Sequence, residues 1–170
     1  MMDIIIKDNF LPLTDFLKFK NLITKNTFEW YLSEVIGLPE ECIQPCHIID
    51  NYQFTHLFYY DNIPQSRYYE EYISPFISLL NIKSMLKAKI NLNPKTEKNI
   101  KHGFHIDTDI DESFTSILYF NNTNGYTEFK NGKKVQDVKN RLVTFPSHLY
   151  HTGNTCTDNS YRMVLNLNYY

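Results

Sequence analysis

The chain has 170 residues, 15% of them aromatic (thirteen Tyr, twelve Phe), five glycines and a formal net charge of −2. That length fits one domain with a sizeable core. So few glycines argue against a glycine-rich phosphate cradle, and the near-neutral balance gives no whole-molecule field for nucleic acid or an anionic membrane.

Met1 to Asp8 holds an apolar run of three, Ile4 to Ile6, without a basic stretch, so it reads as a short strand and not as a signal peptide. No run is long enough to span a membrane, and a soluble, cytoplasmic protein is expected. Thr14-Asp15 starts a helix carrying Phe16, Leu17, Phe19, Leu22 and Ile23 at helical spacing. Phe28 to Leu32 is an aromatic piece closed by Gly37-Leu38-Pro39. Cys42 and Cys46 flank a Cys-x3-Cys spacing beside His47, but no second pair completes a closed zinc site. With Cys156 the cysteines are odd in number, which fits free thiols in a reducing compartment. Residues 51–60 suggest a strand, and 66–80 a helix that Pro75 kinks or splits. Met85 to Asn93 alternates, with Leu86, Ala88, Ile90 and Leu92 on one face and Lys87, Lys89 and Asn91 on a solvated face. From Ser113 onward short strands alternate with turns, including an Asn131-Gly132 hairpin signal. The expected fold is mainly β with flanking helices: a double-stranded β-helix (a cupin-like jelly roll) over about 83–170, buttressed by N-terminal helices over about 1–82, as one domain.

The chemistry concentrates between His105 and Arg162. Residues two apart on a strand share a face, so His105 and Asp107 can grip one ion, and His151 can reach them from a strand distant in sequence. Two histidines and a carboxylate form the facial triad of a non-heme Fe(II) site, leaving positions for a bidentate 2-oxo acid and O2. A bare His-x-Asp is commonplace, and the surroundings give it weight. On the last strand, Arg162, Val164, Asn166 and Asn168 share one face. An arginine there, with no acid near it in sequence, calls for an anion that a distal carboxylate would supply through two bonds. His148 is the rival third ligand. Asp107, Asp109 and Asp111 suggest a calcium loop, but the positions requiring Gly and Glu hold Glu112 and Leu118. His102 is read as a solvent or loop histidine, His47 and His56 as structural, with His56 also able to face the pocket.

Five segments carry a family resemblance: Lys101 to Asp107, Ile117 to Asn121, Gly125 to Phe129, Phe145 to His151, and Arg162 to Asn166. From Met85 onward the chain resembles the prolyl 4-hydroxylase-like branch of the Fe(II)/2-oxoglutarate dioxygenases, particularly its small phage- and virus-type members. The resemblance implies that His105, Asp107 and His151 bind iron, that Arg162 anchors the distal carboxylate of 2-oxoglutarate with help from Tyr119, and that Asn166 lines the pocket. It departs from the pattern at Asn93-Pro94, where relatives place a tyrosine; Asn93 can still donate to the co-substrate but reaches less far.

The implied cofactors are Fe(II), 2-oxoglutarate and O2, with ascorbate as an accessory reductant. The implied reaction is hydroxylation of a peptidyl proline in a protein or peptide, with release of succinate and CO2. Asp107 speaks against a halogenase, which leaves that coordination position open. A nucleobase or metabolite oxygenase, nucleic acid being the less favoured partner, a jelly-roll binding protein with a relic site, and a zinc hydrolase remain as alternatives.

Overall fold

A computed structural model of the chain describes residues 4–34 and 52–170. Gly37-Leu38-Pro39 and the Cys42, Cys46 and His47 group lie outside them. In chain order the elements are β1 (Ile5–Lys7), α1 (Leu13–Ile23), β2 (Tyr31–Glu34), β3 (Tyr52–Tyr60), β4 (Ile63–Pro64), α2 (Tyr69–Tyr72), α3 (Pro75–Leu79), β5 (Met85–Pro94), β6 (Phe114–Tyr119), β7 (Tyr126–Phe129), β8 (Lys134–Gln136), β9 (Leu142–Pro146), β10 (His151–Gly153) and β11 (Tyr161–Tyr169).

Alternation along β5 and β11 sets the architecture. The two strands pair antiparallel from Tyr161 opposite Pro94 to Tyr169 opposite Met85, at the centre of an eight-stranded sheet ordered β1-β9-β6-β11-β5-β3-β2, with β4 on β3. A smaller sheet, β10-β7-β8, forms the second layer of the jelly roll. Because side chains alternate, one face of the large sheet offers Ala88, Ile90, Leu118, Phe120, Met163, Leu165 and Leu167 to α1, α2 and α3. Helix α1 answers with Phe16, Phe19, Leu22 and Ile23, and the Phe19 ring meets Phe58 and Phe120 edge-on. Each large side chain buried this way contributes about 1.5–3 kcal/mol. A second cluster, Ile117, Tyr119, Phe129, Val135, Val143, Phe145 and Val164, fills the space between the sheets.

Asn140, at φ 60°, ties the start of α1 to the sheet, accepting from the Leu11 N–H and donating to the Leu11 carbonyl. The helical segment over 66–80 is divided, as Pro75 requires: the proline opens α3, where its missing N–H is harmless. His56 bonds through its two ring nitrogens to the Glu29 carbonyl and to Ser66 Oγ, inside an aromatic cluster, so it is structural and does not face the pocket. Among the described residues no helix is long and apolar enough to cross a membrane.

Candidate metal centre and pocket

The other face of the central strands is polar. Lys87, Lys89, Asn91 and Asn93 of β5 and Arg162, Val164, Asn166 and Asn168 of β11 form the floor of a pocket that also takes in Gln53, His102, His105, Asp107, Thr127, His151 and Gly153. The lysine face of β5, expected to be solvated, is therefore the inner wall of a cleft. The period was right and the environment was not, because the covering β5–β6 segment cannot be read from β5.

That covering segment runs alongside β10. Lys101 bridges Asn154, and His105 and His151 form an antiparallel pair exchanging both backbone bonds at 3.0 Å. Directly opposed residues project to the same side, so register brings two histidines far apart in sequence to a ring-centroid separation of 4.7 Å. His105 thus sits in an extended loop held by one bridge, not in a continuous strand. Its i, i+2 relation to Asp107 survives, since Asp107 N–H bonds to the Ser147 carbonyl.

His105 Nε2 lies 3.9 Å from Asp107 Oδ1, His151 Nε2 lies 3.7 Å from Asp107 Oδ2, and the three ligand atoms all lie within 4.8 Å of one another. His151 Nδ1 donates to the Leu149 carbonyl at 2.9 Å and His105 Nδ1 to the Gly103 carbonyl at 3.3 Å, which turns both Nε2 lone pairs inward. Thr115 Oγ1 at 2.7 Å and Asn168 Nδ2 at 3.0 Å donate to Asp107 Oδ2 and fix the carboxylate. Burial pushes the His151 imidazole below its usual pKa, against the opposing pull of Asp107, and favours the neutral ring a metal requires. His148 is exposed and lies outside the cluster that His105, Asp107 and His151 form. Asp109 and Asp111 are exposed at the rim.

Arg162 is 4% exposed and reaches the pocket, and an acid distant in sequence, Asp137, already meets its call for an anion in part. Its Nε donates to Asp137 Oδ2 at 2.7 Å and its Nη2 to Asp137 Oδ1 at 3.0 Å, while Thr123 Oγ1 donates to the same carboxylate at 2.7 Å. Burial works against the guanidinium charge; Asp137 outweighs it and holds the pKa above its usual value. What stays available faces Gly153, where a Cβ would come within 3.0 Å of Nη1. Asp137 therefore takes the Nε–Nη2 edge of the guanidinium, and a ligand carboxylate is left the Nη1 side. Tyr119 is fully buried and does not line the pocket; its hydroxyl donates to Thr127 Oγ1 at 2.7 Å, and Thr127 lines the wall. The Tyr119 ring centroid lies 5.8 Å from the Arg162 guanidinium carbon, so the ring meets the arginine directly, and the hydroxyl reaches the pocket wall through Thr127.

Three buried polar atoms in the pocket, Asn93 Nδ2, Asn91 Oδ1 and Asn166 Oδ1, have no hydrogen-bond partner among the described residues. A buried donor without an acceptor is costly, so these atoms mark where a polar ligand fits. His102, expected in solvent, is 8% exposed; burial, with Arg162 and His105 nearby, lowers its pKa to about 4. Lys89 is half-buried, and desolvation brings its ammonium down to about 8, assisted by Lys87 and opposed by Asp107. His102, Lys89 and Asp137 escaped the sequence reading because each owes its setting to strand register or to a covering loop.

Solved structures share this architecture. A prolyl-4-hydroxylase from Pseudomonas putida aligns with a TM-score of 0.62 and 14% identity over 98% of this chain and 91% of its own. A prolyl hydroxylase from Trichoplax adhaerens, in complex with a hypoxia inducible factor oxygen degradation domain peptide fragment, gives 0.62 and 16% over 98% and 83%. The non-heme alpha ketoglutarate dependent epimerase SnoN from nogalamycin biosynthesis gives 0.65 and 8% over 98% and 77%. No family model and no curated protein matches the sequence. At these identities the likeness establishes the fold, and the chemistry rests on the site.

Proposed function

We propose that the chain is an Fe(II)- and 2-oxoglutarate-dependent oxygenase that hydroxylates a C–H bond, with a prolyl residue of a peptide as the leading substrate. The observation that carries this reading is the convergence of His105 Nε2, Asp107 and His151 Nε2, with both Nδ1 atoms tied to carbonyls, in a pocket that also holds Arg162 and an unpartnered Asn93 donor. The donor set suits iron, since two imidazoles and one carboxylate leave open positions for a chelating co-substrate.

Bound there, iron and 2-oxoglutarate supply the activation of O2, so that 2-oxoglutarate, O2 and R–H become succinate, CO2 and R–OH. The protein's own part is placement. Thr115 and Asn168 hold Asp107 in one orientation. Arg162 offers Nη1 to the distal carboxylate, Asn93 Nδ2 offers a hydrogen bond at the same end of the pocket, and Asn166 lines the floor opposite Lys89. Tyr119 meets Arg162 and orients Thr127. The prolyl assignment draws support from two neighbours of this fold that are prolyl hydroxylases, one of them peptide-bound.

The test is an anaerobic titration of the Fe(II) protein with 2-oxoglutarate, reading the visible metal-to-2-oxo-acid charge-transfer band. The band is expected in the parent, absent in His151→Ala and weakened in Arg162→Met. An iron-loaded parent without the band would overturn the reading and favour a binding protein.

A further inference from the structure

β5 presents four polar side chains to the pocket at two-residue intervals, and their cross-strand partners order them. Asn93 stands opposite Arg162, Lys89 opposite Asn166, and Lys87 opposite Asn168, which donates to Asp107. Four residues of strand, roughly 13 Å, separate Lys89 from Asn93. The Arg162 end suits the distal carboxylate of the co-substrate; Lys89 lies toward the other end, one same-face pair short of Lys87 and Asn168, which mark the level of Asp107.

Lys89 is a half-buried ammonium without an ion-pair or hydrogen-bond partner among the described residues. The carbonyl oxygens nearest to it in register, Asn91 Oδ1 and Asn166 Oδ1, are buried and unpartnered, so neither has captured it. Lys87 lies on the same face with its Nζ 5.9 Å from the Tyr60 ring, adding a second positive charge toward the mouth. Asp107, the carboxylate that lines the pocket, is turned toward His105 and His151. A partly desolvated, unpaired cation in a concave site is unfavourable until an anion joins it. An ammonium accepts a carboxylate as a point charge without the planar register a guanidinium imposes.

We propose that Lys89 is the specificity-determining residue of a carboxylate subsite, and that the substrate carries a carboxylate close to the carbon that is oxidised. This rests on the oxygenase reading and narrows it, because an internal, uncharged prolyl segment leaves Lys89 unpaired. The carboxylate has two sources: a free or C-terminal acid, or an acidic side chain beside the reacting residue.

The experiment uses protein loaded with Zn(II) and 2-oxoglutarate, which does not turn over, and measures binding by saturation-transfer NMR. One pair of probes is N-acetylproline and N-acetylprolinamide; the other is acetyl-Ala-Pro-Glu-amide and acetyl-Ala-Pro-Gln-amide. In one of the pairs the acid is expected to bind at least about tenfold more tightly than its amide, the loss of one charge-assisted contact, and that pair identifies the source. Lys89→Met is expected to abolish the difference while 2-oxoglutarate affinity holds, and Lys89→Arg to retain most of it. Equal binding of acid and amide in both pairs, discrimination that survives Lys89→Met, or loss of 2-oxoglutarate in that variant would each overturn the proposal. Failure of the parent protein to bind 2-oxoglutarate strikes the oxygenase reading instead, and the acid–amide comparison on the metal-loaded protein still judges Lys89.

Discussion

Asp137→Asn isolates the buried pair that the sequence did not announce. The guanidinium and carboxylate are 4% and 1% exposed and joined by bonds of 2.7 and 3.0 Å. Removing the charge of one partner leaves the other buried and uncompensated, which costs about 3–5 kcal/mol. For a chain of this size each kcal/mol lowers the melting temperature by about 2–4 °C, so a fall of about 6–20 °C is expected. Asparagine keeps the shape, so the loss reports charge and not a cavity. The same vacancy makes an anion at Arg162 more valuable: 2-oxoglutarate is expected to bind the metal-loaded variant about tenfold more tightly than the parent and to restore about 1.4 kcal/mol more stability at the same ligand concentration, well above both dissociation constants. Calorimetric melting with and without 2-oxoglutarate measures both. A melting shift under about 2 °C, or equal stabilisation of parent and variant by 2-oxoglutarate, would refute the view that Asp137 holds the fork and that Arg162 meets the co-substrate.

Acid stability should carry the signature of His102. Its folded pKa of about 4 lies below the ordinary value of 6.5, so between those values the unfolded chain binds a proton that the folded one refuses. Stability is full above about pH 6.5 and falls by up to about 3 kcal/mol on the way to pH 4; urea melts of His102→Gln should show that slope flattened, and an unchanged slope would remove His102 as the cause. Asn93→Ala removes an unpartnered donor, so the apo protein should keep its stability while the dissociation constant for 2-oxoglutarate rises about tenfold, the worth of one hydrogen bond; no change in affinity would take Asn93 out of the co-substrate site. Gly125→Ala would set a methyl group 2.8 Å from Arg162 Cδ and 2.9 Å from Asp137 Oδ2, an overpacking worth about 1–3 kcal/mol, and thermal melting within about 1 °C of the parent would show that the pair yields freely.

That His105 and Asp107 can converge was legible because their relation is local: they share a side whether the backbone is strand or extended loop. The choice of His151 over His148 was legible only from context, and the structural cause is register, one hydrogen-bonded pair that sets His151 against His105. The divided helix at Pro75 followed from the chemistry of proline. Faces were harder. A strand reading Lys-Ala-Lys-Ile-Asn-Leu-Asn shows which residues share a side, but not whether the polar side meets water or a second layer; here the second layer makes Lys89 and Asn91 pocket residues. Asp137 was beyond reach for the same reason. Its partner lies across the fold, and the pairing depends on how the β7–β8 hairpin closes toward β11.

The charges of the pocket connect these observations. Asp137 neutralises Arg162, so the guanidinium that a co-substrate dianion would normally balance brings no net charge of its own. A divalent metal on the triad loses one unit to Asp107 and keeps one. Lys89 and Lys87 add two more at neutral pH, since even the depressed Lys89 value of about 8 leaves the ammonium protonated. Three positive charges then face two from 2-oxoglutarate, and the surplus lies at the lysine end of the floor, not at Arg162. A neutral substrate leaves that surplus desolvated beneath it, whereas a monocarboxylate brings the loaded site to neutrality. Replacing Asp137 by Asn adds a separate positive unit at Arg162 and leaves the lysine end as it was, so the preference for an acidic substrate and the affinity for 2-oxoglutarate should respond to different residues, the first to Lys89 and the second to Asp137.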